Sequence, residues 1–200
     1  MRAELEASFR AALRTTDPYS LTRTHLPEAT PALVLAVGKA AVPMARAAAD
    51  TYPDAPGLVV TRDGYGGHAG HFTVREAAHP VPDERSQAAA EEALELLGRL
   101  GKEDLVLVLL SGGGSSLLSA PCGIALEDKQ GVNQALLRSG AVIGEINAVR
   151  KHLSRIKGGQ LAGATQARIL TLVLSDVPGD DLAAVASGPT VPTRPRSPTR

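Results

Sequence analysis

The chain has 200 residues, 44% hydrophobic and 21% charged, which excludes a largely disordered or collagen-like polypeptide and is enough for one large domain with a substantial core. Lysine plus arginine and aspartate plus glutamate both total 21, so no global field draws it toward nucleic acid or an acidic membrane, and any anion site must be local. Cys122 is the single cysteine, so an intramolecular disulfide is impossible and a reducing, cytoplasmic setting is expected. The N-terminus lacks the apolar core of a secretion signal, and no stretch approaches the ~20 apolar residues needed to span a bilayer. Aromatics are only 2%, which argues against stacking platforms for single-stranded nucleic acid.

In chain order, Leu5, Phe9, Ala12 and Leu13 recur near a helical period over residues 3 to 14, and Thr16-Asp17-Pro18 breaks that helix. Residues 32 to 37 form a continuous apolar run of the kind buried on both sheet faces, and an alanine-rich helix follows at about 40 to 52. Its Pro43 is tolerated in the first turn. A second strand spans 58 to 61, a long glycine-rich connection runs from Arg62 to Gly70, and Phe72-Thr73-Val74 makes a short third strand. Ala90, Ala93, Leu94, Leu97 and Leu100 mark an amphipathic helix from 83 to 100.

Residues 105 to 110, six branched aliphatic side chains in a row, suit the centre of a parallel sheet. Helices are expected at roughly 127 to 139 and 143 to 156, then a buried strand from 169 to 174. This alternation predicts an α/β fold: a doubly wound, mostly parallel, Rossmann-like sheet with helices on both faces. The domain is expected to occupy residues 1 to 188. The tail from 189 to 200, with four prolines and three arginines, is expected to be extended or disordered.

Ligands of such sheets bind beyond the carboxyl ends of the strands. Three loops lie there: Gly38-Lys39, Ser111-Gly112-Gly113-Gly114-Ser115-Ser116, and Ser175 to Asp181. Three glycines allow positive φ and close backbone approach to an anion, and Ser115 and Ser116 offer hydroxyls and potential helix caps, so the central loop reads as phosphate-binding. The alternative is a glycine-rich turn with serine caps and no ligand. Lys39 belongs to neither a Walker loop nor a dinucleotide fingerprint; it is either a point charge for a transferring phosphoryl group or a solvated surface lysine.

On the helix from Ile143, the residues Ile146, Val149, Leu153 and Ile156 form an apolar stripe opposite Asn147, Arg150, Lys151 and Ser154. That polar face either neutralises phosphates or is simply solvated. Asp176, after the last strand, suits Mg²⁺ binding or acceptance of a hydroxyl proton, whereas Asp180 and Asp181 suit capping of a following helix. His68, His71 and His79 lack the spacing and the cysteines of a zinc site, and Cys122 reads as a small buried apolar residue.

Five blocks in this order, A-V-G-K-A-A (36 to 41), A-A-H-P-V-P-D-E (77 to 84), L-L-S-G-G-G-S-S (109 to 116), E-I-N-A-V-R-K-H-L-S-R-I-K-G-G (145 to 159) and L-S-D-V-P-G-D (174 to 180), strongly resemble the glycerate 2-kinase family over about residues 1 to 190. The resemblance implies phosphorylation of D-glycerate at its 2-hydroxyl with ATP and Mg²⁺. It matches Lys39 to the active-site lysine, residues 111 to 116 to the phosphate-contacting loop, Asp176 to the aspartate near the reacting groups and Asn147, Arg150 and Lys151 to a cleft-facing block.

Some relatives carry the name hydroxypyruvate reductase, which would need a dinucleotide, and no G-x-G-x-x-G follows any predicted strand. Family members are about twice as long, with a second, C-terminal domain that closes the cleft and supplies an arginine. The proline- and arginine-rich ending here departs from that pattern. The expectation is therefore a truncated kinase, with a noncatalytic nucleotide- or phosphate-binding fragment as the alternative. A small-molecule substrate is expected rather than nucleic acid or membrane, and a homodimer is compatible with the sequence.

Overall fold

The computed structural model describes residues 1–192, apart from the side chain of Ile143. Its five strands are β1 (Leu33–Val37), β2 (Gly57–Arg62), β3 (Thr73–Ala77), β4 (Leu105–Ser111) and β5 (Arg168–Leu174). They form one parallel sheet in the order β3-β2-β1-β4-β5. The chain winds outward from β1 to β3, then returns through a helix to place β4 against the other side of β1. The doubly wound expectation is met, and the switch point lies between β1 and β4.

Period-two alternation divides the buried strands between two cores. Leu35 and Val37 of β1 join Val106, Val108 and Leu110 of β4 on one face, beneath Ala89, Ala90, Ala93 and Leu97 of α4 (Glu84–Gly98). Val34, Ala36, Leu107 and Leu109 face the other way, against Met44, Ala45 and Ala48 of α3 (Ala41–Thr51). Alanines at the contact points bring each helix close to the sheet, so aliphatic burial replaces the missing aromatics; each large side chain fully buried contributes about 1.5–3 kcal/mol. In α4, Asp83 and Ser86 form a reciprocal capping box, which fixes where the helix starts.

Several local expectations change. Thr16-Asp17-Pro18 separates two helices: α1 (Arg2–Thr15) ends there, and α2 (Pro18–His25) begins with Asp17 accepting from the Ser20 amide. Proline at the first helical position loses no intrahelical bond, so the same residues that end α1 start α2. α1 buries none of its residues among those described, and Leu5, Phe9 and Leu13 stay exposed. β3 runs three residues further than expected because residues 73 to 77 pair in register with β2.

β5 is the sheet's edge strand and only half-buried, so Asp176 does not follow a buried strand. A run of apolar residues cannot by itself distinguish a central strand from an edge whose cover lies elsewhere.

Two helices, α6 (Leu126–Arg138) and α7 (Ile143–His152), pack on each other beyond β4. α7 stops earlier than expected, so Leu153 and Ile156 of the apolar stripe and Ser154 of the polar face lie beyond the helix. Ser154 and Ile156 are buried instead, and Val149, within the helix, is exposed. Cys122 is exposed rather than buried, because it sits in the connection to α6, just past the bridge from Pro121 to Ser154.

Pro189 packs inside, and the Ala162 amide donates to its carbonyl; Thr171 donates to the Thr190 hydroxyl at 3.0 Å. The first residues of the expected tail are therefore part of the fold, while residues 193 to 200 lie outside those described. Among the described residues, no helix is long and apolar enough to cross a membrane.

Candidate active site

The loops after β1 and β4 meet at the switch point, where the sheet order forces their ends apart from the crossover helices. Gly38 has φ +129°, and a Cβ there would stand 2.2 Å from Ser111 Oγ and 2.6 Å from its carbonyl oxygen. Only glycine permits that approach. The contact is then locked: the Lys39 amide donates to the Gly112 carbonyl (2.9 Å), and the Ala40 amide donates to Ser111 Oγ (3.0 Å). Thr61 Oγ1, at the end of β2, donates to the Gly38 carbonyl. Ser111 is buried and fastens the two loops together rather than facing a cavity.

Next, Gly112 carries the Asp176 carboxylate directly against its Cα: an added Cβ would be 1.9 Å from Oδ2. Gly113, at φ +87°, turns the chain; a Cβ there would meet His79 at 3.0 Å and Lys39 Cε at 3.2 Å. Gly114 lies under Ala186. Two bare glycines, Gly112 and Gly113, thus allow Lys39, His79 and Asp176, from three different strand ends, to converge on one short stretch of backbone.

The helix after this loop, α5 (Gly114–Leu117), is a single turn capped by Gly113 without a side-chain bond. Ser115 and Ser116 lie inside it and are not caps. Ser115 Oγ pairs with Ser187 Oγ at 2.9 Å, and Ser116 Oγ donates to the Gly113 carbonyl. Asp181 accepts from the Ala183 amide, capping only the turn before a 3-10 segment at Val185–Ser187.

Two cavities open on either side of the loop and share Gly113, Ser115 and Arg150. One, of about 1020 Å³, contains Asp176, Asn147, Lys151, His152 and Asp181. The other, of about 300 Å³, contains His79, Ser116, Ser119, Lys129, Asn133 and Lys157. The polar face expected on the helix from Ile143 is therefore divided. Asn147 and Lys151 line the first cavity, whereas Arg150 lines both and donates to Asn133 Oδ1 at 2.9 Å. Ser154 is buried beyond the end of α7, where its hydroxyl accepts from the Ile156 and Lys157 amides.

Charge distribution differs between the cavities. Burial, with the charges of Lys129 and Arg150 added, pulls the Lys157 ammonium down to about 7. Burial and Arg150 pull Lys129 down to about 8. His79 is also held below its ordinary value, first by burial and then by the Lys39 and Arg62 charges, against a weaker opposing effect of Asp176. Beside the Lys39 charge, the His79 imidazole therefore favours its neutral form.

Of the site residues expected from sequence, Lys39, Gly113, Ser115, Asp176, Asn147, Arg150 and Lys151 come together around the loop. His79, Lys129 and Lys157 were missed. His79 and Lys157 lie within conspicuous sequence blocks but had no spacing that marked them, and Lys129 sits on a helix whose pattern is otherwise that of a solvated surface.

Among the described residues, no group of three or more histidine, cysteine or carboxylate side chains could hold a metal ion. A Mg²⁺ ion needs fewer protein ligands when substrate phosphates complete its shell, and Asp176 fits that arrangement.

Residues 4–198 match the family model described as Domain of unknown function (DUF4147). A protein of Agrobacterium vitis that provisionally carries the name hydroxypyruvate reductase is 50% identical over 196 residues, covering 95% of this chain and 45% of its own length. A glycerate 2-kinase of Pyrococcus horikoshii is 50% identical over 159 residues, covering 79% of this chain and 36% of that protein. The crystal structure of a glycerate kinase from Thermotoga maritima superposes with a TM-score of 0.83, with 43% identity over 92% of this chain and 46% of that one. The chain thus spans less than half the length of these relatives. It belongs to the DUF4147 family, whose glycerate 2-kinase members its sequence blocks resemble.

Proposed function

We propose that this chain forms the N-terminal half of a glycerate 2-kinase site, transferring the terminal phosphoryl group of ATP to the 2-hydroxyl of D-glycerate. The observation that carries the reading is the convergence of Lys39, His79 and Asp176 on the Gly112-Gly113 backbone at the switch point of a parallel sheet. Phosphoryl transfer requires placement and charge neutralisation more than covalent chemistry. Lys39 is the point charge for the transferring group, and Gly113 lets the backbone approach it without a side chain between.

Asp176 holds the glycerate hydroxyl, and it is the residue that would hold Mg²⁺, which would supply further charge neutralisation. In the balanced reaction the glycerate O2–P bond forms as the bond from phosphorus to the ADP oxygen breaks, and the hydroxyl proton leaves to Asp176 or solvent. The hydroxypyruvate reductase name of some relatives fits less well, because the loops at the switch point hold no dinucleotide fingerprint.

The matched part of the Thermotoga maritima relative can be replaced by residues 1–190 of this chain. That chimera should form 2-phosphoglycerate and ADP from D-glycerate and ATP. A folded chimera that binds ATP yet releases no ADP with D-glycerate would overturn the assignment in favour of a noncatalytic binding module.

A further inference from the structure

The smaller cavity has a composition that the proposed transfer step does not use. Lys129, Arg150 and Lys157 line it together, and among the described residues no carboxylate does. None of the three forms a salt bridge among the described residues. Lys129 and Lys157 are 2% and 3% exposed. Two nearly buried ammonium groups beside a guanidinium, with no counter-charge among the described residues, are costly to fold around.

Their hydrogen bonding is also incomplete. Lys129 Nζ donates to Ser119 Oγ at 3.0 Å, and Lys157 Nζ donates to the Ser115 carbonyl at 2.5 Å. An ammonium has three N–H donors, so each lysine retains donor capacity at the cavity floor after its one protein acceptor among the described residues. Ser116 and Asn133 add neutral polar groups, and Pro80, Val81 and Leu137 form apolar walls. An anion with several charges and several acceptor oxygens satisfies all of this. A three-carbon monocarboxylate supplies one charge and leaves most of the donors unmet.

We propose that this cavity is the seat of the donor's phosphate chain, with Lys129 and Lys157 as its binding residues, and that the Asp176 cavity across the Gly113–Ser115 wall takes the hydroxy acid. The inference rests on the kinase reading for the division of substrates. The affinity of the cavity for a polyphosphate anion stands apart from it. Arg150 borders both spaces and spans the wall, so a phosphate chain on the lysines ends beside Gly113, where Lys39 and Asp176 meet.

The test is calorimetric titration of the 200-residue chain with inorganic tripolyphosphate, repeated on Lys129→Met and Lys157→Met. Loss of a charge-assisted hydrogen bond predicts binding weaker by about tenfold or more in each variant. Melting in anion-free buffer provides the folding control, because removing an unpaired buried ammonium should leave Lys157→Met at least as stable as the parent. Absence of tripolyphosphate binding by the parent, or equal affinity in folded variants, overturns the proposal. If tripolyphosphate binds in a lysine-dependent manner while the chimera fails to phosphorylate glycerate, the anion site stands and the kinase reading falls. If the chimera is active and both lysine variants of it retain the parent's KM for ATP, the kinase reading stands and this inference falls.

Discussion

The carboxylate of Asp176 rests against the bare Cα of Gly112, so close that a single methyl group at residue 112 would stand 1.9 Å from Oδ2. The obstructing atom is the end of a side chain, which can swing aside. Gly112→Ala is therefore expected to leave the fold within about 1 kcal/mol of the parent. Displacing Asp176 by an ångström should still lower kcat of the chimera by about 10²-fold. Parallel melting and rate measurements check this, and equal activity would mean that the contact is incidental.

Gly38→Ala should behave in the opposite way. Its Cβ would meet the Ser111 carbonyl oxygen at 2.6 Å, on backbone with φ +129°, and neither can move without parting β1 from β4. Strain plus overpacking predict a loss of about 3 kcal/mol or more in urea unfolding.

Lys39→Ala removes a charge from an exposed side chain and should not affect stability. If Lys39 neutralises the transferring phosphoryl group, kcat/KM of the chimera falls by about 10²–10³-fold. Full retained activity would place the lysine among ordinary surface residues.

Buried lysines give the chain an unusual dependence on pH. The folded-state value of Lys157 is about 7 against an ordinary 10.5, so above about pH 7 the unfolded chain binds more protons than the native one. Stability therefore rises with pH across that interval, and Lys129, lowered to about 8, adds to the upper part. Unfolding free energies at pH 7 and 9 should show the rise, and Lys157→Met should flatten it. A parent that loses stability over this interval, with no difference in the variant, would contradict the buried-ammonium account.

At the sheet centre, Leu107 is wholly buried, whereas Leu170 at the same level of the edge strand is 36% exposed. Leu107→Ala should cost about 2–5 kcal/mol in urea unfolding. Leu170→Ala should cost clearly less, since its side chain leaves a smaller cavity and already meets solvent.

Apolar runs at 32 to 37, 58 to 61, 72 to 74, 105 to 110 and 169 to 174, helical periods between them and glycines at two strand ends were enough to place five strands, their order of appearance and the loops where a ligand would bind. Those features are local, with period two in strands, 3.6 in helices, and a backbone that only glycine allows, so they can be read from neighbouring residues. The same local rules misplaced Cys122, the caps at Ser115 and Ser116, and the end of α7, because each depended on what packs there from elsewhere in the chain.

Tertiary structure alone decided that β4 lies beside β1, which brings Lys39, His79 and Asp176, residues up to 137 positions apart (176 − 39), onto one turn of backbone. It also decided that Lys129 and Lys157, 28 positions apart (157 − 129), share a cavity that no carboxylate among the described residues lines. A lysine's charge is written in the sequence. Whether water surrounds it is set by the elements that close over it, and that difference turned two ordinary-looking residues into an anion site.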